Sequence, residues 1–199
     1  MLECDRILEA VLDTLAADQD HDPSDLPRIR TKTMQVGTPS FDVRAALFGV
    51  FRLDLPQIHG LGPSLSLKLV GECETDLRAW PSAKLFTFWL CLVPGNKSSG
   101  GKVLSSLTRR SSSRAAALLR LTAVTIYRSD TALGAFYRRL AAQAGKSKAV
   151  TATACHLAGL FYNRLRHGMT YHDPGASHYE DQYRSRVIGD LKRRAKSLG

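Results

Sequence analysis

Apolar residues in this chain recur at three- and four-residue spacing, and no stretch of any length alternates apolar with polar side chains. That pattern builds amphipathic helices and leaves no ordinary half-buried strand. The expected fold class is therefore all-α, a compact multi-helix domain. Ile7, Leu8, Val11, Leu12 and Leu15 share one face of a helix over residues 5–17. A second helix is expected from Val43 to Phe51, with Leu47, Val50 and Phe51 inward. Helix starts are read at Thr75-Asp76 and Pro81-Ser82. The second leads into an apolar stripe of Leu85, Phe86, Trp89 and Leu90 that stops at Pro94.

Four more helices follow from the same spacing. Arg114–Tyr127 carries Ala116, Leu119, Ala123 and Ile126 on one side; a helix capped by Asp130 runs to Leu140; Lys148–Arg166 is rich in alanine; and His178–Leu198 sets Tyr179, Tyr183, Val187 and Leu191 against a basic face. Gly145 and Gly168 are natural breaks, and Asp173-Pro174-Gly175 is a turn. Residues 18–40, with Pro23, Pro27, Gly37 and Pro39, read as loop.

The segment from Pro94 to Arg114 interrupts this helical pattern. Lys97-Ser98-Ser99-Gly100-Gly101-Lys102 contains nothing apolar, and Arg109, Arg110 and six further hydroxyl residues follow within twelve positions. Glycine permits positive φ and close approach to a ligand. Successive free N–H groups make an anion cradle, and lysine and arginine supply charge for a phosphate. The segment reads either as a phosphate-handling loop with an available hydroxyl nucleophile or as a flexible Ser/Gly linker. It is not a Walker loop, because that glycine–lysine spacing is absent.

The charge changes sign at the same place. Residues 1–96 hold 9 Lys/Arg and 13 Asp/Glu, whereas residues 97–199 hold 19 and 5. A basic half of this strength is a footprint for a polyanion. No run is long and apolar enough for a membrane helix, and no basic-then-apolar leader is present, so a membrane partner is not expected. The four cysteines include no C-x-x-C pair and read as free thiols in a reducing cytoplasm. His156, His167, His172 and His178, with Cys155, fit no zinc spacing, so no metal site is expected.

Ile58 to Leu69 resembles a helix-hairpin-helix motif. Gly60 and Gly62 occupy the G-x-G hairpin, Ser64 is placed to cap the second helix, and Ile58, Leu61, Leu65 and Leu69 lock the pair. Such a hairpin offers backbone amides to a DNA phosphate. An ordinary helical corner is the competing reading. Tyr162, Tyr171, Tyr179 and Tyr183, set among arginines, are readable as base-stacking or as packing residues.

A family resemblance adds to this. Trp80-Pro81-Ser82, Pro94 to Lys97, Ser99 to Ser106, Ala132 to Arg139, Lys148 to Ala154 and Tyr179 to Val187 follow in order. Together they resemble the C-terminal region of insertion-sequence transposases of the one-ten family, relatives of the Piv DNA invertase. The resemblance covers roughly residues 40–199. It implies a DNA recombinase whose C-terminal domain supplies a serine nucleophile in an S-G motif. An N-terminal RNase H-like half binds Mg²⁺ through an Asp-Glu-Asp-Asp tetrad, and a bridge RNA chooses the DNA partners.

On this resemblance Ser99 is the nucleophile and Ser98 its neighbouring alternative. Lys97, Gly100, Gly101, Lys102, Arg109 and Arg110 then hold phosphate, as do Gly60, Gly62, Lys192, Arg193 and Arg194. The expected organisation is an N-terminal helix and acidic linker over 1–40 and a transposase domain over 41–199. Within that domain lie a hairpin part near 43–72, the Ser/Gly loop at 94–114 and a basic helical part from 114 onward. No RNase H-like half is found in these residues, so the chain reads as inactive by itself, with no cofactor of its own and Mg²⁺ expected only with that half. Expected partners are DNA, a guide RNA and further copies in a homo-oligomer, in a bacterial cytoplasm at the nucleoid. The alternative reading is a non-catalytic DNA- or RNA-binding module, or a transposase remnant without activity.

Overall fold

The computed structural model describes residues 2–16, 26, 38–73, 77–105 and 107–197. Among them are eight α-helices: α1 Leu2–Ala16, α2 Val43–Phe51, α3 Pro63–Cys73, α4 Ala83–Trp89, α5 Arg114–Ile126, α6 Ala132–Ala144, α7 Lys146–His167 and α8 Gly175–Ser197. Single 3-10 turns lie at Leu55–Gln57 and Leu77–Ala79. The fold is helical, as the spacing predicts. It also contains one short antiparallel pair, β1 Lys97–Ser99 and β2 Lys102–Ser105, where the sequence reads as loop or linker. Three- and four-residue strands are too short to show alternation. Asp18, Asp20, Asp22 and Asp25 with most of the stretch 18–40, the start expected at Thr75-Asp76, Ser106 and Leu198 lie outside the described residues.

Capping sets the helix boundaries. Asp42 accepts from the amides of Arg44 and Ala45, Ser82 from Leu85, and Ser113 from Ala116. Each satisfies donors that the first turn leaves without intrahelical partners. Thr131, not Asp130, caps α6 by accepting from Gly134, and Asp173 accepts from the neighbouring Ala132 amide. Gly168 ends α7 with φ 62° and donates its N–H to Arg164 O. Gly145, at φ 91°, separates α6 from α7.

The core gathers on α7. Its alanines let neighbours approach closely, and α4, α5 and α6 all pack against it. Ala154, Leu157, Ala158, Phe161 and Tyr162 are fully buried there. They meet Ala116, Leu119, Ala123 and Ile126 of α5 and Phe86 of α4 in one cluster. Tyr162 donates its phenol proton to Trp80 O at 2.5 Å, so it belongs to the core and not to a base-stacking face. The buried Arg164 guanidinium donates to Met169 O and Gln57 Oε1, fastening the end of α7 to the first 3-10 turn. Burial pushes its pKa down, and the nearby Asp54 carboxylate opposes that.

Two expected faces are not covered. Among the described side chains of α1 only Leu12 is buried; Ile7, Leu8, Val11 and Leu15 are exposed, and the helix packs on α2. On α8 Tyr179 and Tyr183 lie against α6, whereas Val187 and Leu191 are exposed. A helical stripe records that a face is apolar, not that the chain supplies its cover.

Candidate active site

The route to the Ser99 segment begins at the end of α4. Cys91 takes φ 55°, the left-handed conformation usual for glycine after a helix. The Cys91 and Leu92 amides donate to Phe88 O and Thr87 O. This is a Schellman ending, and the buried Leu92 anchors it. Arg120 of α5 donates to Cys91 O at 3.4 Å, tying the turn to the core. The chain then leaves as a hairpin whose arms meet at the Pro94–Thr108 bridge, with Gly95 N–H donating to Leu107 O.

At the tip, Ser99 pairs with Lys102 across a two-residue turn, Gly100-Gly101. The glycines have φ 56° and 76°. Positive φ at both central positions is the requirement of a type I′ turn, whose twist matches that of the strands. A side chain at either glycine would meet nothing within 4 Å, so backbone conformation, not crowding, selects them. Residues directly opposite in an antiparallel pair share a face, and successive residues alternate. Ser99 and Lys102 therefore stand on one face of the hairpin and Ser98 on the other. Leu104 is an extra residue on β2, where the register shifts between Lys97 and Ser98.

Ser98, Ser99, Gly100, Gly101 and Lys102 are all exposed. The Ser99 hydroxyl makes no hydrogen bond among the described residues. By contrast, Ser113 Oγ is engaged as the α5 cap, and Ser111 Oγ accepts from the Ser113 amide. Thiols offer no rival nucleophile in the core. Burial, then the adjacent Glu72 charge, pushes the Cys73 thiol up to about 12, which keeps it protonated near neutrality.

From Leu77 to Ser129 the chain contains nine Lys/Arg and no Asp or Glu. Arg109 follows the last bridge of the hairpin and lies over the ring of Phe88, its guanidinium carbon 4.5 Å from the centroid. Arg110 is exposed beside it. Arg114, next along, is paired with Glu72 at 3.2 Å. Among the described residues, no three His, Cys, Asp or Glu side chains are grouped to hold a metal ion.

The other expected phosphate ligands lie elsewhere. The first member of the expected helix pair is only the 3-10 turn Leu55–Gln57. Gly60, at φ 92°, is pressed against α5: a Cβ there would sit 2.8 Å from Thr122 Cγ2 and 2.9 Å from Ile126 Cδ1. Packing on α5 thus accounts for this glycine. Gly62 immediately precedes α3, which starts at Pro63; Ser64 lies inside the helix and is buried, so it is not the cap. Lys192, Arg193 and Arg194 are exposed on the second half of α8, whose packing partner is α6, and Arg193 pairs with Asp190. The hairpin group, the Gly60 corner and the α8 charges are three separate places in the fold.

The sequence pattern misses Phe88. The expected apolar stripe on α4 splits: Phe86 and Leu90 are buried, while Leu85 and Trp89, with Phe88, are exposed. The signal was present, because positions 85, 88 and 89 form a second apolar stripe at helical spacing.

No helix among the described residues is long and apolar enough to cross a membrane. Residues 54–138 match the family model described as Transposase IS116/IS110/IS902 family. No curated protein and no solved structure matches the chain.

Proposed function

Because residues 54–138 form a domain of the Transposase IS116/IS110/IS902 family, we propose that the chain acts on DNA in transposition and that Ser99 is the nucleophile that cleaves the strand. The observation that carries this reading is the cross-strand pairing of Ser99 with Lys102 at an exposed type I′ tip, with Ser98 on the opposite face. The matched stretch contains the whole hairpin.

The reaction is a phosphoryl transfer to serine. Ser99 Oγ attacks a phosphodiester phosphorus; the P–Oγ bond forms and one ester bond to deoxyribose breaks. The leaving deoxyribose oxygen takes up a proton as the serine hydroxyl gives one up. The bond energy is kept in the phosphoserine link, so the strand can be resealed to a new end without a nucleotide cofactor. Charge develops on the phosphoryl oxygens in the transition state and needs preorganised cations. Lys102 on the same face supplies one. Lys97 of β1 is a second candidate cation; Arg109 and Arg110, past the Pro94–Thr108 bridge, hold the strand farther from the reacting phosphate, and the free amides of Gly100 and Gly101 add donors at the turn. The amides preceding α3 at Gly62 and the α8 residues Lys192, Arg193 and Arg194 hold more distant phosphates. A bridge RNA and further copies of the chain are the partners this reading calls for.

The test is a strand-cleavage reaction on labelled element-end DNA, with the RNase H-like half, Mg²⁺ and guide RNA supplied. The wild-type chain gives a protein–DNA adduct on a denaturing gel. Ser99→Ala gives none and still binds nucleic acid, since alanine removes one oxygen and leaves the surrounding charge. Ser98→Ala keeps the adduct. An adduct from Ser99→Ala, or its loss only in Ser98→Ala, overturns the assignment.

A further inference from the structure

We propose that the outer face of α4, Phe88 and Trp89 with Arg109 beside them, is a stacking site for an unpaired base of the strand that runs past the Ser99 hairpin. This rests on the reading of the hairpin as a nucleic-acid site.

Three observations converge on that face. First, the aromatic rings are presented outward: Phe88 is 46% and Trp89 44% exposed, while Phe86 between their turns is fully buried. An aromatic ring left open on a short helix forfeits burial that a core would gain, and Trp89 is backed by Trp80 at 4.7 Å between centroids. Second, a cation is in place. Arg109 lies over Phe88, the geometry in which an arginine can release a ring to a base while keeping its charge for the adjoining phosphate. Third, the segment that carries this face, residues 77–129, is basic, so charge complementarity favours a polyanion over a partner with a basic rim. The nine cations and absent carboxylates of residues 77–129 repel such a rim and attract a polyanion.

The connection to the proposed chemistry is covalent and short. Phe88 lies just before the Schellman turn, Arg109 just after the Pro94–Thr108 bridge, so the hairpin stem opens between them. Five residue steps along extended chain separate Pro94 of that bridge from Ser99, on the order of 15 Å. The stacked base is therefore several nucleotides from the cleaved bond, and the site holds the strand rather than the reacting phosphate. A base exposes its flat face only when it is unpaired or extruded, which selects single strand over intact duplex.

Both tryptophans of the chain lie in this cluster, so intrinsic emission reports on it directly. The experiment titrates the full chain with labelled twelve-residue oligothymidine and with an abasic strand of equal length, reading anisotropy and tryptophan emission together. Oligothymidine is expected to bind and quench; the abasic strand binds more weakly and does not quench. Phe88→Ala weakens oligothymidine binding about tenfold and leaves the abasic strand unchanged, and Phe88→Tyr restores the wild-type value. Phe88 is exposed, and an unchanged circular dichroism melt of Phe88→Ala shows that the fold is kept. Binding of both strands with emission unmoved overturns the stacking site and leaves the proposed function standing. Binding of neither overturns both. Quenching by added protein alone, lost in Phe88→Ala, shows a second copy on the face and overturns the proposal.

Discussion

Helices α7 and α8 differ by one residue in length, 22 against 23, yet eight residues of α7 are buried and none of α8. Both carry an apolar stripe. The difference lies in what stands opposite: α4, α5 and α6 pack against α7, whereas α8 packs on α6, with its side-chain contacts at Tyr179, Glu180 and Tyr183 of its first half. There Arg139 pairs with Glu180 and lies 3.6 Å over the Tyr183 ring, Gln143 bonds the Tyr183 hydroxyl at 2.9 Å, and Phe136 meets Tyr179 edge-on. Beyond Tyr183 no contact of that kind continues, and the basic side chains face solvent. The comparison separates a helix held by packing from one held by polar and aromatic contacts at one end. The first serves stability, and the second ends in an exposed basic stretch.

The largest test of that contrast is Phe161→Ala on α7. A fully buried aromatic leaves a cavity, and urea unfolding should show a loss of about 3–5 kcal/mol. Leu191→Ala on α8 should stay within about 0.5 kcal/mol. A larger loss there means the face is covered in solution, and a concentration-dependent melt would show it.

Next comes a pair of glycines. In α6, a Cβ at Gly134 would lie 2.4 Å from Ser129 O, a backbone atom that cannot turn aside. Gly134→Ala should cost about 1–3 kcal/mol by chemical denaturation. Gly159 in α7 has open space where a Cβ would go. Gly159→Ala should stabilise by about 0.5–1 kcal/mol, since alanine loses less backbone freedom than glycine in a helix. Equal effects at the two sites would contradict the packing described for α6.

Arg139→Ala removes both the Glu180 pair and the Tyr183 contact. The expected loss is about 1 kcal/mol, because the pair is partly exposed and screened. Amide exchange should accelerate over residues 175–183 and leave α7 unchanged. Exchange that quickens in α7 as well would show that the two helices unfold as one unit.

The smallest stability effect belongs to Lys192, Arg193 and Arg194 replaced together by alanine, within about 0.5 kcal/mol. Their signature is in binding. The log–log dependence of affinity on salt should flatten by about 0.9 for each duplex phosphate that is no longer neutralised. Affinity should fall similarly for all sequences, because binding to phosphates carries no base information. An unchanged salt slope would show that the end of α8 does not touch nucleic acid.

Much of this was legible in the residues alone. Helical spacing located α2 and α5 to within a residue, and Gly145 and Gly168 marked real boundaries, because caps and breaks are local chemistry. The exposed, glycine-flanked position of Ser99 was legible for the same reason: a stretch without apolar side chains has no path into a core. The Ser/Gly/Lys composition and the sign change of charge are the sequence's grounds for the proposed phosphate role.

Only the tertiary structure decided the rest. Whether an apolar stripe is covered depends on elements distant in sequence, so Trp89, Val187 and Leu191 belong to apolar stripes and are nonetheless exposed, while Tyr162 is open to two readings and is core. Gly60 looks in sequence like a phosphate hairpin; its contact with Thr122 and Ile126 of α5 exists only once the helices assemble. Ser98 and Ser99 are chemically the same side chain at adjacent positions. What distinguishes them is a strand register, set by two glycines at positive φ, which puts Ser99 and Lys102 on one face because opposed residues of an antiparallel pair share it.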